Sequence, residues 1–181
     1  MIGQVQTPLG AMQITPATPA DVEEILTLFD ETVAWLGEQG LAAQWGTTPF
    51  SQVPGMAARF GIWIERQSLF TARIAGELVG VLAVGSQLPA YAVDQLTDRP
   101  GPALYLEAFT TKRRHEGRSI GSTLLRWAER YAKEEGAAWL RLDCWAENEG
   151  LCAYYQRAGF LPCGQFQLGH WRGQFFEKVL H

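Results

Sequence analysis

The stretch Thr111–Leu125 reads TKRRHEGRSIGSTLL and joins strand-forming residues to residues with helical spacing. Its first half, Lys112–Arg118, holds four cations and one acid in a chain whose net charge is −4. The first amides of a helix lack intrahelical partners and carry a partial positive charge. Small residues at Gly117, Ser119 and Gly121 allow an anion to approach that backbone closely. The stretch predicts a phosphate-binding turn at a helix start, with a solvated cationic turn as the alternative.

The elements on either side of this turn follow from the hydrophobic pattern. Residues 103–111 (ALYLEAFTT) are apolar on both faces apart from Glu107, which is typical of a central strand. From about 119 to 135, apolar residues recur at helical spacing until Gly136, which ends the helix. The turn therefore lies between a predicted central strand and an amphipathic helix.

Periodicity and turn residues assign the rest of the chain to strands and helices. We expect further strands at 11–15, 68–74, 78–84, 138–145, 161–167 and 174–180, and further helices between Thr18 and Gly37, near 52–66 and at 148–158. Residues 86–102 are expected to form a long irregular connection. The order β-α-α-β-β-β-α-β-α-β-β mixes hairpins with crossovers. It predicts an α/β chain of the α+β type, with a single mixed, mostly antiparallel sheet flanked by helices.

Length and composition indicate one domain, residues 1–181, without a nucleic-acid or membrane partner. A net charge of −4 argues against a general nucleic-acid binder. No apolar run reaches about 18 residues, and the N-terminus lacks the profile of a signal peptide, so we expect a cytoplasmic protein. Three cysteines (Cys144, Cys152 and Cys163) without CxxC spacing predict reduced thiols and no metal site.

Thr111–Leu125 resembles the acyl-CoA signature of the GNAT superfamily of N-acetyltransferases. The six-residue core of that signature, Arg/Gln-x-x-Gly-x-Gly/Ala, falls on Glu116–Gly121 (EGRSIG). The later stretch Asn148–Phe160 (NEGLCAYYQRAGF) is similar to the family's second signature, an Asn, then a Tyr, then Gly-Phe. The predicted element order is also that of the family, so the resemblance spans nearly the whole chain.

The resemblance implies that acetyl-CoA is the co-substrate. The main chain around Arg118–Ser122 would hold the diphosphate, and the main chain of Phe109 and Thr111 would pair with the pantetheine arm. Asn148 would cap its helix or contact pantetheine. The expected cofactor-binding residues are Phe109, Thr110, Thr111, Glu116, Gly117, Arg118, Ser119, Ile120, Gly121, Ser122, Asn148 and Tyr154.

Two residues depart from the family pattern: Glu116 stands where Arg or Gln is usual, and Ser119 where Gly is usual. A carboxylate repels a pyrophosphate, and Arg114 and Arg118 are close enough in sequence to offset it. Ser119 adds a side chain at a crowded turn, where its hydroxyl would cap the helix or donate to a phosphate oxygen. Both departures are therefore expected to change the affinity of the turn for the pyrophosphate of the cofactor.

Glu107 is the candidate general base. A carboxylate in an apolar strand loses hydration unless it opens onto a cleft, and the same burial raises its pKa toward neutrality. Acyl transfer to an amine needs a base because an ammonium has no lone pair. Strand alternation places Glu107 on one face with Tyr105 and Phe109. The resemblance also implies a catalytic residue in this part of the strand. The alternative is that Glu107 has a structural role, bonded to a neighbouring strand or to an arginine.

Tyr155 is the candidate general acid by resemblance, because departure of the thiolate needs a proton. A phenol with a pKa of about 10 is protonated at neutral pH and can donate. Tyr154 is the alternative acid, and packing in the stripe of Leu151, Tyr154, Tyr155 and Ala158 is the alternative role.

Together these residues predict transfer of an acetyl group from acetyl-CoA to a primary amine by direct attack in a ternary complex. The acceptor, a small molecule or a peptide, is not identified, and residues 41–60 and 86–102 are expected to shape its pocket. A homodimer is the commonest symmetric assembly for such a chain, and the sequence leaves the stoichiometry open.

Two other functions remain open at this point. GRSIG also matches the GxSxG pattern of serine hydrolases, with Ser119, Asp143 and His170 in the chain order of an α/β-hydrolase triad. The cationic stretch before Ser119 and the short chain after it argue against this triad. A non-catalytic CoA-binding domain is the other alternative.

Overall fold

One sheet of eight strands dominates the computed structural model, which describes residues 3–96 and 100–181. The strands are β1 (Gly3–Thr7), β2 (Gly10–Pro16), β3 (Leu69–Ile74), β4 (Glu77–Gly85), β5 (Ala103–Thr111), β6 (Trp139–Trp145), β7 (Leu161–Leu168) and β8 (Trp171–Val179). Their order in the sheet is β1-β2-β3-β4-β5-β6-β8-β7. β5 and β6 run parallel, whereas β1–β4 and β6–β8–β7 pair antiparallel. The predicted mixed, mostly antiparallel sheet is confirmed.

Helices flank this sheet, as predicted. They are α1 (Val22–Glu38), α2 (Met56–Glu65), α3 (Val93–Leu96), α4 (Ile120–Glu134) and α5 (Glu149–Arg157). α1 begins after a short 3₁₀ turn at Pro19–Asp21, where the amide and hydroxyl of Thr18 both donate to Asp21 Oδ2 at 2.7 Å. No helix within the described ranges is long and apolar enough to cross a membrane.

Two parts of the sequence prediction differ from the structure. β1 was not predicted, because GQVQT has a single aliphatic side chain and its pairing with β2 is decided by the hairpin ladder. Gly3 suits this position because a Cβ there would lie 2.6 Å from the indole Nε1 of Trp127. Residues 86–102 contain the short helix α3 where only irregular structure was expected, and 97–99 lie outside the described residues.

Two compact units divide the chain. The first contains the chain up to Ala83 together with Ala108–Trp127, and the second contains Val84–Glu107 and Ala128–His181. In the first unit, α1 and α2 bury an aromatic group in which Phe29 packs on Trp45, Phe50 and Phe60 at centroid distances of 5.5, 5.1 and 5.2 Å.

The core of the second unit is also aromatic and lies on one face of its strands. Tyr105, Phe166 and Phe175 are buried there together with Ala92 and Leu96 from the segment that follows β4. Phe166 stacks on Phe175 with centroids 4.3 Å apart. These rings approach β8 closely because residue 173, opposite Phe166 in the register, is a glycine.

Replacing Gly173 with alanine should destabilise the protein. A Cβ at that position would lie 2.2 Å from the ring of Phe166 and 2.7 Å from that of Trp171, so the rings must shift. Overpacking of this kind costs about 1–3 kcal/mol, measured as the free energy of unfolding in urea. Gly37→Ala is the control, because no atom lies within 4 Å of a Cβ there and alanine in a helix gains about 0.5–1 kcal/mol. Equal stability of Gly173→Ala and the unmodified protein would contradict the expectation.

Candidate active site

The strand pair β5–β6 opens immediately before the proposed base. β6 pairs with β5 only over Ala103–Leu106, and the next residue of β5 is Glu107. Ala108 then has a φ of 51°, in the left-handed region that non-glycine residues rarely adopt. β6 itself continues to Trp145, paired there with β8. Glu107 is half-buried at the point where the two parallel strands stop sharing hydrogen bonds.

The end of β5 has one backbone edge facing β4 and one facing away from it. The amide of Lys112 donates to the carbonyl of Val79 in β4 at 2.9 Å. Since backbone groups alternate along a strand, those of Phe109 and Thr111 point the opposite way. The carbonyl of Thr111 accepts from Arg113 Nε at 3.0 Å, so one of the groups expected to pair with pantetheine already has a partner in the protein. The buried hydroxyl of Thr110 bonds to that of Thr32 at 2.8 Å.

The start of α4 presents a row of backbone amides. The first hydrogen bond of the helix runs from the amide of Thr123 to the carbonyl of Ser119, at 3.0 Å. Within the described part of the chain, the amides of Ile120, Gly121 and Ser122 have no acceptor, as expected for a first helical turn. The amide of Arg118 differs, because it donates to the carbonyl of His115 at 3.1 Å. The Arg118 amide is therefore not among the amides that could bind an anion, although the sequence analysis included it.

Most cations of the turn are engaged within the first unit. Lys112 pairs with Glu31 at 2.8 Å, and the guanidinium of Arg113 lies 4.8 Å from the ring centroid of Trp35. Arg114 and His115 both contact Glu77 of β4.

These contacts decide which cation is left for a ligand. Hydrogen bonding from Arg114 lowers the pKa of the Glu77 carboxyl. Arg114, which we expected to offset Glu116 together with Arg118, is thus bound to Glu77. Arg118 is exposed, and its guanidinium has no partner among the residues that the structure describes. Of the cations of this turn, Arg118 is the one left for an anionic ligand.

Ser119 occupies a backbone conformation that favours glycine. Its φ is 61°, and its side chain is exposed. Its carbonyl, rather than its hydroxyl, completes the helix start by accepting from the amide of Thr123 and from Ser122 Oγ at 3.1 Å. Of the two roles expected for the Ser119 hydroxyl, the helix cap is not formed among the residues that the structure describes. Gly117, with a φ of 75° and no atom within 4 Å of the position a Cβ would take, and the exposed Glu116 complete the turn.

In the second unit, α5 begins at Asn148 and carries the proposed acid. Asn148 Oδ1 accepts from the amide of Leu151 at 3.0 Å, which confirms that Asn148 caps this helix. Tyr155 is 6% exposed and packs against Tyr154, Phe160 and Phe176 at centroid distances of 5.4, 6.0 and 5.8 Å. Burial raises the pKa of the Tyr155 phenol well above its ordinary value, so the hydroxyl carries its proton at neutral pH.

Asp143 lies beside this site and was considered from sequence only as a hydrolase residue. Its Oδ1 accepts from the hydroxyls of Tyr105 at 2.5 Å and Tyr91 at 3.0 Å. Tyr91 and Asp143 are 52 residues apart, and no local pattern connects them. The sequence therefore held no indication of this contact.

The serine-hydrolase triad is not supported. A nucleophile elbow places its serine directly after a strand, whereas Ser119 follows a 3₁₀ turn at Arg113–His115. Asp143 receives tyrosine hydroxyls, and His170 is exposed in the turn between β7 and β8.

The cysteines are free thiols. Cys144 Sγ lies 3.6 Å from Cys152 Sγ, and burial raises the pKa of the Cys144 thiol. A raised pKa is the opposite of what activates a thiol nucleophile, so Cys144 is not an activated thiol.

Comparison with known proteins agrees with this arrangement. The model of the Acetyltransferase (GNAT) family matches residues 30–160. Among curated relatives, the uncharacterized N-acetyltransferase YesJ of Bacillus subtilis (strain 168) is 29% identical over 170 residues, which cover 91% of this chain and 88% of YesJ.

Solved structures share the fold. An acetyltransferase of the GNAT family from Listeria monocytogenes 4b F2365 has a TM-score of 0.78 at 24% identity, covering 98% of this chain and 100% of that one. The structure of yncA from Salmonella typhimurium, solved with its cofactor acetyl-CoA, has a TM-score of 0.64 at 18% identity and covers 94% of each chain.

Substituting Ser119 with glycine should stabilise the protein. A side chain in the left-handed region costs about 1–2 kcal/mol, and glycine loses about 0.5–1 kcal/mol more backbone entropy on folding. We expect a net gain of about 0.5–1 kcal/mol in the free energy of unfolding in urea. The control, Ser122→Gly, lies inside α4 and should lower stability by a similar amount. A less stable Ser119→Gly protein would show that the strain argument is wrong.

Proposed function

Because this chain belongs to the acetyltransferase (GNAT) family, whose model matches residues 30–160, we propose that it transfers an acetyl group from acetyl-CoA to a primary amine. The acceptor is a small molecule or a peptide, and the amine attacks the thioester directly in a ternary complex. This proposal rests mainly on the backbone amides of Ile120–Ser122 and the exposed cation Arg118, which have no partner among residues 3–96 and 100–181.

The start of α4 is suited to the diphosphate of acetyl-CoA. Backbone amides without partners and the positive end of a 15-residue helix both favour an anion. Gly117 leaves the approach open, since no atom lies within 4 Å of a Cβ built there. Arg118 adds a full charge to this partial one, and Glu116, which is exposed, can turn toward solvent. The backbone of Phe109 would then pair with the pantetheine arm.

Glu107 is proposed to accept the proton of the acceptor ammonium. Glu107 is the first residue of β5 after pairing with β6 has ended, and we place the acceptor amine beside its half-buried carboxylate. Loss of the proton frees the nitrogen lone pair, which attacks the thioester carbon. Holding the amine and the thioester together contributes much of the rate acceleration, because it removes the entropy cost of their encounter.

Tyr155 is proposed to supply the proton for the departing thiolate. The carbon–sulfur bond breaks as the carbonyl reforms, and the electron pair goes to sulfur, which takes the phenol proton. The nitrogen carries one proton too many after the attack, and it gives this proton up to the phenolate as the amide forms, which restores Tyr155. The raised pKa of Tyr155 keeps the acid form present across the neutral range. No cysteine takes part, since direct attack needs no acyl-enzyme.

Binding and turnover can be tested separately. Acetyl-CoA at a hundredfold excess over its Kd should stabilise the native state by about 2.7 kcal/mol, which a thermal-shift assay detects readily. A panel of primary amines is then assayed for release of free thiol. Absence of both responses contradicts the proposal, and binding without turnover indicates a non-catalytic CoA-binding domain.

Glu107→Gln and Tyr155→Phe should lower kcat and leave the affinity for acetyl-CoA unchanged. Each removes one proton-transfer group, and general acid–base catalysis contributes about 10²- to 10⁴-fold. The control is Tyr131→Phe, which deletes a phenol hydroxyl on α4 outside the proposed catalytic residues. Steady-state kinetics of thiol release measures kcat, and calorimetry measures acetyl-CoA binding. Catalytic variants that match the control would exclude these two roles.

Arg118→Ala should weaken acetyl-CoA binding. Hydrogen bonds to charged groups contribute about 1.5–3 kcal/mol, so the loss corresponds to about a tenfold rise in Kd or more. The matched control is Arg114→Ala in the same turn, which removes a cation already bound to Glu77 and should change Kd less. Calorimetry at two salt concentrations checks both variants. An Arg114 effect as large as that of Arg118 would contradict the assignment.

A further inference from the structure

One carboxylate joins two tyrosines from distant parts of the second unit. The hydroxyls of Tyr105 and Tyr91 both donate to Asp143 Oδ1, at 2.5 and 3.0 Å. Asp143 follows Leu142, the last residue of β6 paired with β5. Hydroxyl bonds to a carboxylate are stronger and shorter than those between neutral groups. Asp143 therefore holds both rings in place where the strands separate.

Tyr105 connects this contact to the proposed base. Tyr105 and Glu107 are two positions apart on β5, before the unusual backbone of Ala108, so they share a face of the strand. Burial raises the pKa of the Tyr105 phenol, and the charges of Asp143, Tyr91 and Glu107 act in the same direction. Of these three groups, Asp143 contacts the phenol directly through its hydrogen bond.

Tyr91 is held on its other side by stacking. Its ring lies parallel to that of Phe166, with centroids 4.8 Å apart and an interplanar angle of 13°. The neighbouring residues Leu88, Ala92 and Leu96 pack into the same cluster. The hydroxyl bond to Asp143 and this stacking together fix the segment Leu88–Leu96 over the face that carries Tyr105.

We propose that Asp143 is a positioning residue of the acceptor site: by binding Tyr91 and Tyr105 it holds the segment Leu88–Leu96 as a wall beside Glu107. The inference rests on the proposed function. An amine deprotonated by Glu107 must come within about 3 Å of that carboxylate. The body of the acceptor then meets the ring of Tyr91, which shares its carboxylate partner with the neighbouring Tyr105. Releasing Tyr91 removes the wall without touching the reacting atoms.

The test compares Tyr91→Phe, which removes one oxygen atom, with Asp143→Ala and Asp143→Asn. Loss of a hydrogen bond to a charged group should raise the acceptor KM about tenfold, while kcat and the acetyl-CoA Kd stay within about twofold. The amide introduced by Asp143→Asn keeps an acceptor oxygen but is uncharged, so the acceptor KM of this enzyme should lie between those of the unmodified enzyme and Asp143→Ala. Tyr131→Phe is the control and should match the unmodified enzyme.

Hydrogen exchange provides a readout that does not depend on turnover. The amide of Ala92 donates to the carbonyl of Pro89 at 2.8 Å, and it should exchange about five- to tenfold faster in Tyr91→Phe if the segment is released. If the unmodified protein acetylates no amine, the proposed function fails, and exchange alone decides whether Asp143 holds this segment.

Three results would overturn the inference. The first is a Tyr91→Phe enzyme whose acceptor KM and Ala92 exchange both equal those of the unmodified protein. The second is an acetyl-CoA Kd that rises as much as the acceptor KM, which indicates general loosening of the fold. The third is an equal effect of the Tyr131→Phe control. Should Asp143→Ala fail to fold, Tyr91→Phe carries the test by itself.

Discussion

The early end of the parallel ladder between β5 and β6 is the constraint on which the proposed chemistry depends. The two strands share hydrogen bonds over Ala103–Leu106 and Trp139–Leu142 and then part. Glu107 and Asp143 are the first residues of each strand beyond the shared ladder. Both carboxylates are half-buried, and a carboxylate that has lost part of its hydration needs polar partners or an open cleft to offset the cost. The left-handed backbone of Ala108 marks the same departure from regular pleating.

Some cations of the turn form ion pairs within the protein, and one remains exposed for a ligand. Lys112, Arg114 and His115 contact acids of the first unit, Glu31 and Glu77, and so orient the loop between β5 and α4. Exposed ion pairs of this kind contribute little to stability, so their main effect is on geometry. The groups that remain are backbone amides and Arg118. A ligand with two adjacent phosphates suits this arrangement because it meets a fixed array of donors and one exposed charge.

Several elements could be predicted from sequence because their determinants are local. The predicted bounds of β5 match the observed strand, and α4 was expected at 119–135 and spans Ile120–Glu134. Alternating apolar residues, a glycine stop and a cap such as Asn148 act over a few positions. β1 was missed because its sequence is weakly patterned and its pairing with β2 depends on the ladder. The contact of Arg114 with Glu77 could not be predicted because the two residues are distant in the chain.

The amino-acid sequence by itself indicated the family, the order of elements apart from β1 and α3, and the turn that we propose for phosphate binding, since each depends on short-range patterns of charge, glycine and periodicity. The tertiary structure decided which of those backbone amides and side chains already have partners in the protein and which remain for a ligand. It assigned the amide of Arg118 to His115, placed Ser119 in a strained backbone conformation, and joined Tyr91 to Asp143 across 52 residues. Such contacts arise only when strands and loops pack, because a side chain's partners are set by spatial neighbours that the linear order does not encode.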